Sequence, residues 1–80
     1  MTHAQFRLVE SRIGDQVKIV SFEGSSHLHE KCSQLGIFPG DEAKVLRIAP
    51  FDGPMLMEID GREIALGKTI AKNILVEVLP

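Results

Sequence analysis

Three groups of residues in this chain have types and spacings that could do chemistry. Gly67-Lys68-Thr69 is the triplet that closes a phosphate-binding loop. Such a loop carries glycine, four intervening residues, then Gly-Lys-Ser/Thr, because the N–H groups of one compact turn must converge on a phosphate. Here Gly61 is one position too early and Arg62 stands where the first glycine is required. His27, His29 and Cys32 offer imidazole and thiolate, the usual ligands of zinc. Glu58 and Glu63 offer paired carboxylates for acid/base work or ion binding.

What these residues can do depends on the elements that carry them. Gln16 to Phe22 alternates among β-branched residues between two turn signals, Gly14-Asp15 and Glu23-Gly24, and reads as a strand. Ser25 to Gly36 reads as a helix. Ser25 or Ser26 caps it, Glu30 lies near the first turn, and Leu28, Cys32 and Leu35 make an apolar stripe at i, i+4, i+7. Gly36 supplies a left-handed end, Pro39-Gly40 stops continuation, and Ile37 folds back onto the helix.

Beyond Gly40 the pattern is one of strands: Glu42 to Ala49, Met55 to Ile59, Arg62 to Leu66 and Asn73 to Val78. The loop Pro50-Phe51-Asp52-Gly53-Pro54 excludes regular structure. Asp60-Gly61 is the favoured pair for a type I′ hairpin, and a two-residue turn fixes the register. Ile59 then faces Arg62, Met57 faces Ile64 and Met55 faces Leu66; on the other side Leu56 faces Ala65 and Glu58 faces Glu63. The expected fold is mainly β: a small, partly open barrel of about five strands, one α-helix inserted after the first strand, and a short helical turn before the last.

With the elements in place, each chemical reading narrows. The residues between Gly61 and Gly67 are a paired strand, and an extended segment cannot also curl round a phosphate. On a helix His27 and His29 lie about 160° apart, on opposite flanks of the Leu28 stripe, and Cys32 belongs to the stripe as a small core residue. The two histidines cannot hold one ion within a single helix, so the expectation left for them is weak transition-metal capture by His29 with His27 or His3, in a site shared between chains or completed by His3. Glu58 and Glu63 read as solvated glutamates on a hairpin, without a basic or hydroxyl partner. The one cysteine is expected in the core and the serines cluster at a helix cap, so no nucleophile is set up and the chain reads as a non-enzyme.

Bulk properties agree. Eighty residues allow one domain, taken as 1–80, with a small core. A net charge of -2 with dispersed lysines and arginines argues against nucleic-acid binding. A single cysteine forms no internal disulfide and suits a reducing cytoplasm; neither an apolar signal core nor a membrane-length apolar run appears. What remains is surface. Phe51, Met55 and Ile70 sit beside turns, where clustered apolar side chains mark a partner site, and an exposed end strand would admit strand addition.

The order of elements resembles the FeoA family, small proteins of bacterial ferrous iron transport. The resemblance rests on "QLGIFPGDEAKVLRIAP" and on the hairpin with "IALGKTIAKNILVEV". Leu35, Gly36, Ile37, Pro39, Gly40, Ala49, Pro50, Pro54, Gly61, Ala65, Leu66, Ala71 and Ile74 match the family pattern in order and approximate spacing, over residues 6 to 78. Ile70 stands where that pattern carries a charge and Gly67 where it carries an arginine. The resemblance implies an SH3-like barrel without catalytic residues, acting in the cytoplasm by protein–protein interaction with the FeoB membrane transporter. That partner has its own GTP-binding domain, so a nucleotide would belong to it. Related barrels end diphtheria-toxin-repressor-type metal regulators, which gives the alternative: a metal-responsive Fe(II) or Zn(II) sensor, or a self-associating module of another metal-regulation system.

Overall fold

A computed structural model describes residues 4–80. Six antiparallel strands form one sheet: β1 (Gln5–Arg7), β2 (Gln16–Phe22), β3 (Glu42–Ile48), β4 (Met55–Ile59), β5 (Arg62–Leu66) and β6 (Ile74–Val78). They lie in the order β1-β6-β2-β3-β4-β5. A 3-10 turn, Leu8–Glu10, follows β1; helix α1 (Ser26–Gln34) follows β2, and the four-residue α2 (Lys68–Ala71) joins β5 to β6. The register shifts between Ile19 and Ser21 in β2 and between Val45 and Arg47 in β3. Such irregularities sharpen local twist, which lets the sheet curl round its inner face.

Period-2 alternation builds the core. Val17, Ile19, Val45, Met57, Ile59, Leu66, Ile74 and Val76 are all fully buried, each on the inner side of its strand. The β4–β5 hairpin has the register that its turn dictates. Asp60 and Gly61 have φ of 52° and 78°, as type I′ requires, and all five expected pairs form. Glu58 and Glu63 do face one another on the exposed side, where Lys44 of β3 stands opposite Glu58 and offsets the like charges.

Helix α1 ends as its sequence predicts. Gly36, at φ 80°, donates its N–H to the Ser33 carbonyl, and Ile37 donates to Cys32 O at 2.9 Å, which buries Ile37. Arg62 Nη2 donates to Gly36 O at 3.2 Å, tying this end to the hairpin. At the N-terminus Ser25 is the cap residue by backbone position, but its side chain makes no cap hydrogen bond.

The structure adds β1 to the roughly five strands expected, so α1 follows the second strand rather than the first. Three residues are too few for alternation to show. Leu8, just after β1, is nevertheless fully buried. No helix of the described residues is long and apolar enough to cross a membrane.

Candidate partner-binding site

The short α2 organises the surface of interest, and four contacts place it. Gly67 caps it in extended conformation, and its carbonyl accepts from the N–H groups of Ile70 and Ala71. Asn73 Nδ2 donates to Thr69 O at 3.0 Å, while Arg7 Nη1 donates to Lys72 O at 2.7 Å and pairs with Glu23 Oε1 at 3.0 Å. Lys68 Nζ pairs with Asp52 Oδ1. The Gly67-Lys68-Thr69 triplet is therefore the start of a strap between two strands, with its lysine committed to an aspartate. As expected, the segment before it is a paired strand, which has no phosphate-cradling turn.

Asp52 belongs to the loop between β3 and β4. Gly53 N–H donates to Pro50 O at 3.1 Å, closing a tight turn whose central residues are Phe51 and Asp52. Both have left-handed backbones, with φ of 57° and 60°. Non-glycine residues are held there at a cost on the order of 1–3 kcal/mol each, and such strain concentrates at functional surfaces. Gly53 is required by space, because a Cβ there would lie 2.6 Å from Ala49 Cβ. The turn presents Phe51 at 99% exposure. No other large apolar side chain among the described residues is as open.

On its other flank α2 forms one wall of a cleft of about 480 Å³, with α1 as the opposite wall. Leu28 and Ile70 supply its apolar floor, and both also pack against the core. His27, Lys31 and Thr69 stand round the rim, all exposed. Gly24 opens one end. Its φ of 102° suits glycine, and a Cβ there would meet Leu28 Cδ2 at 3.3 Å. The cleft is apolar inside with a few polar groups at the edge, the usual make-up of a docking pocket.

The sequence-derived site residues thus separate. Phe51 is fully exposed on the turn held by Lys68, and Ile70, within α2, is half-buried in the floor of the cleft. Met55 requires correction. It is 2% exposed, opposite Leu66 with its side chain in the core, because the hairpin register turns it inward although it directly follows a loop. It lines only a small cavity under the Phe51 turn, with Val9, Ile48 and Gly53.

The histidines also part. His27 lies at the cleft rim, whereas the His29 ring meets Phe22 edge-on, with centroids 5.7 Å apart. Among the described residues no group of three or more His, Cys, Asp or Glu is placed to hold a metal, and His3 lies outside those residues. Cys32 is fully buried, and burial pushes its thiol pKa up, which disfavours the thiolate needed for ligation or attack. The cleft itself was missed by sequence reasoning. The helix stripe accounts for Leu28 within α1, and the approach of α2 to α1 is a long-range feature that no local pattern encodes.

A family model described as the FeoA domain matches residues 6–78, nearly the whole chain. This chain belongs to the FeoA family. Among solved structures, the crystal structure of an iron uptake regulatory protein (FeoA) is similar at TM-score 0.87 and 29% identity, over 95% of this chain and 100% of that one. A FeoA-like protein from Clostridium acetobutylicum has TM-score 0.87 and 34% identity, over 100% of this chain and 92% of that one. A manganese-dependent transcriptional repressor shares the fold, at TM-score 0.89 and 24% identity; this chain spans 44% of its length. A search of curated proteins gives no match. The six-stranded curled sheet is thus the SH3-like FeoA fold, and membership carries the family's coarse role, an accessory domain in iron transport.

Proposed function

We propose that this FeoA domain acts in the cytoplasm as an accessory module of ferrous iron uptake, docking on the cytoplasmic portion of the FeoB membrane transporter. The observation that carries this reading is the surface around α2: an apolar cleft floored by Leu28 and Ile70 on one flank and a strained turn holding Phe51 in solvent on the other. An exposed aromatic on a hydrogen-bonded turn near a preformed pocket has the make-up of an interaction hot spot. Family membership supports the choice of pathway, and Ile70 supplies apolar area to the cleft floor. No cofactor is needed for docking of this kind.

Titration of the purified cytoplasmic portion of FeoB with the wild-type domain tests the proposal. Phe51→Asp and Ile70→Asp should each weaken binding at least about 10-fold, as loss of a hot-spot contact does. Circular dichroism checks that Ile70→Asp remains folded. Absence of binding by the wild type, or unchanged binding by both folded variants, refutes this mechanism.

A further inference from the structure

The same chain carries an apolar knob and an apolar hole. We infer that the Phe51 turn of one molecule docks in the α1/α2 cleft of a second copy, giving weak head-to-tail self-association. This rests on the reading of the cleft as a docking surface and goes beyond it in naming another copy of the chain as its occupant.

Size, charge and rigidity favour that occupant. A cavity of about 150 Å³ accommodates a benzene ring, so a cleft of about 480 Å³ has room for a benzyl group and part of its turn. Phe51 is 99% exposed and stands at the tip of a turn closed by Gly53 N–H to Pro50 O, so little backbone freedom is lost on docking. Its neighbour Asp52 has a side chain 76% exposed even while paired with Lys68. A carboxylate accepts several donors, and Lys31 at the cleft rim provides an unpaired ammonium for it among the described residues. An apolar insertion with an acidic residue beside it thus meets an apolar pocket with a basic residue at its edge.

The contact is heterologous. One knob filling one hole leaves the other knob and hole free, so association is open-ended unless the rotation closes a ring. The buried area is well below the roughly 1,000 Å² of a stable interface, so dissociation constants on the order of 0.1–1 mM are expected. Pairing of Asp52 with Lys31 makes the contact weaker in salt.

Sedimentation equilibrium on the domain alone tests this without any transporter, so its failure is separate from failure of the docking role. The knob variant is Phe51→Asp. The hole variant is Thr69→Trp, which fills the cleft from an exposed position. The wild type should gain average mass with concentration, and more so in low salt, while each variant alone stays monomeric. An equimolar mixture should form dimers and stop there, because Thr69→Trp retains the knob and Phe51→Asp retains the hole. A wild type that is monomeric up to about 2 mM overturns the inference, as does association that survives either variant. Failure of the mixture to recover dimers also overturns it, since that result marks a different contact.

Discussion

Replacing Phe51 with glycine should stabilise the domain while it destroys the docking surface. Phe51 is 99% exposed, so truncating it forfeits almost no buried area. Its backbone stands at φ 57°, where a side chain with a Cβ is disfavoured by roughly 1–2 kcal/mol relative to glycine. Glycine in turn raises the entropy of the unfolded chain, a penalty of about 0.4–1 kcal/mol. The difference leaves Phe51→Gly about 0.5–1 kcal/mol more stable. Unfolding entropy of about 2.1 cal/mol/K per residue gives about 170 cal/mol/K for 80 residues. Each kcal/mol is then worth about 6 °C, and Tm should rise by about 3–6 °C. Two companions isolate the cause. Phe51→Ala keeps the Cβ and should leave Tm within about 2 °C of wild type, while Phe51→Asn should rise part of the way, since asparagine tolerates this region. Thermal and urea unfolding of the series decide the matter. A destabilised Phe51→Gly, or an alanine variant as stable as glycine, would refute the claim that the turn stores backbone strain to display an exposed ring.

Two further outcomes follow from the burial pattern. Met55→Ala should cost about 2–5 kcal/mol in urea unfolding, and any FeoB-binding defect should vanish at temperatures where the variant is fully folded, since Met55 is a core residue. For Cys32, burial raises the thiol pKa above its ordinary 9.0, so the unfolded chain loses its proton first. Cys32 then leaves stability unchanged below pH 9, and stability falls as pH climbs through the interval up to the folded pKa. Cys32→Ala should remove that slope, and a wild-type slope that persists in the variant would assign it to other groups.

Local rules made some parts of this fold legible and left others hidden. Asp60-Gly61 set a register that holds at all five pairs, and Gly36 with Ile37 gave the helix end down to its two backbone bonds. These are decisions taken within a few residues of the chain. Met55 directly follows Pro54, yet the same hairpin register that pairs it with Leu66 turns it inward, and register outranks nearness to a loop. β1 went unread because three residues carry no period, although Leu8 after it is fully buried. The Phe51-Asp52 backbone was illegible for a different reason. Aspartate tolerates φ above zero but phenylalanine disfavours it, and contacts distant in sequence, such as Lys68 to Asp52, hold the turn.

That last contact links the features that single-residue reading kept apart. Lys68 holds the knob through Asp52, and the two residues after it, Thr69 and Ile70, line the hole. A single strap of four residues therefore sets the position of both docking elements. Arg7, through Lys72 O, and Asn73, through Thr69 O, hold α2 in place between the two elements. The same geometry makes the two proposed interactions compete. A copy whose cleft is filled by another molecule's Phe51 has no cleft for the transporter, so self-docking lowers transporter affinity by the fraction of clefts it occupies. With dissociation constants on the order of 0.1–1 mM for self-docking, that fraction is small in dilute solution. It grows only where the domain is concentrated, as in a cluster tethered at a membrane, and there Phe51→Asp would free clefts while removing its own contact with the partner.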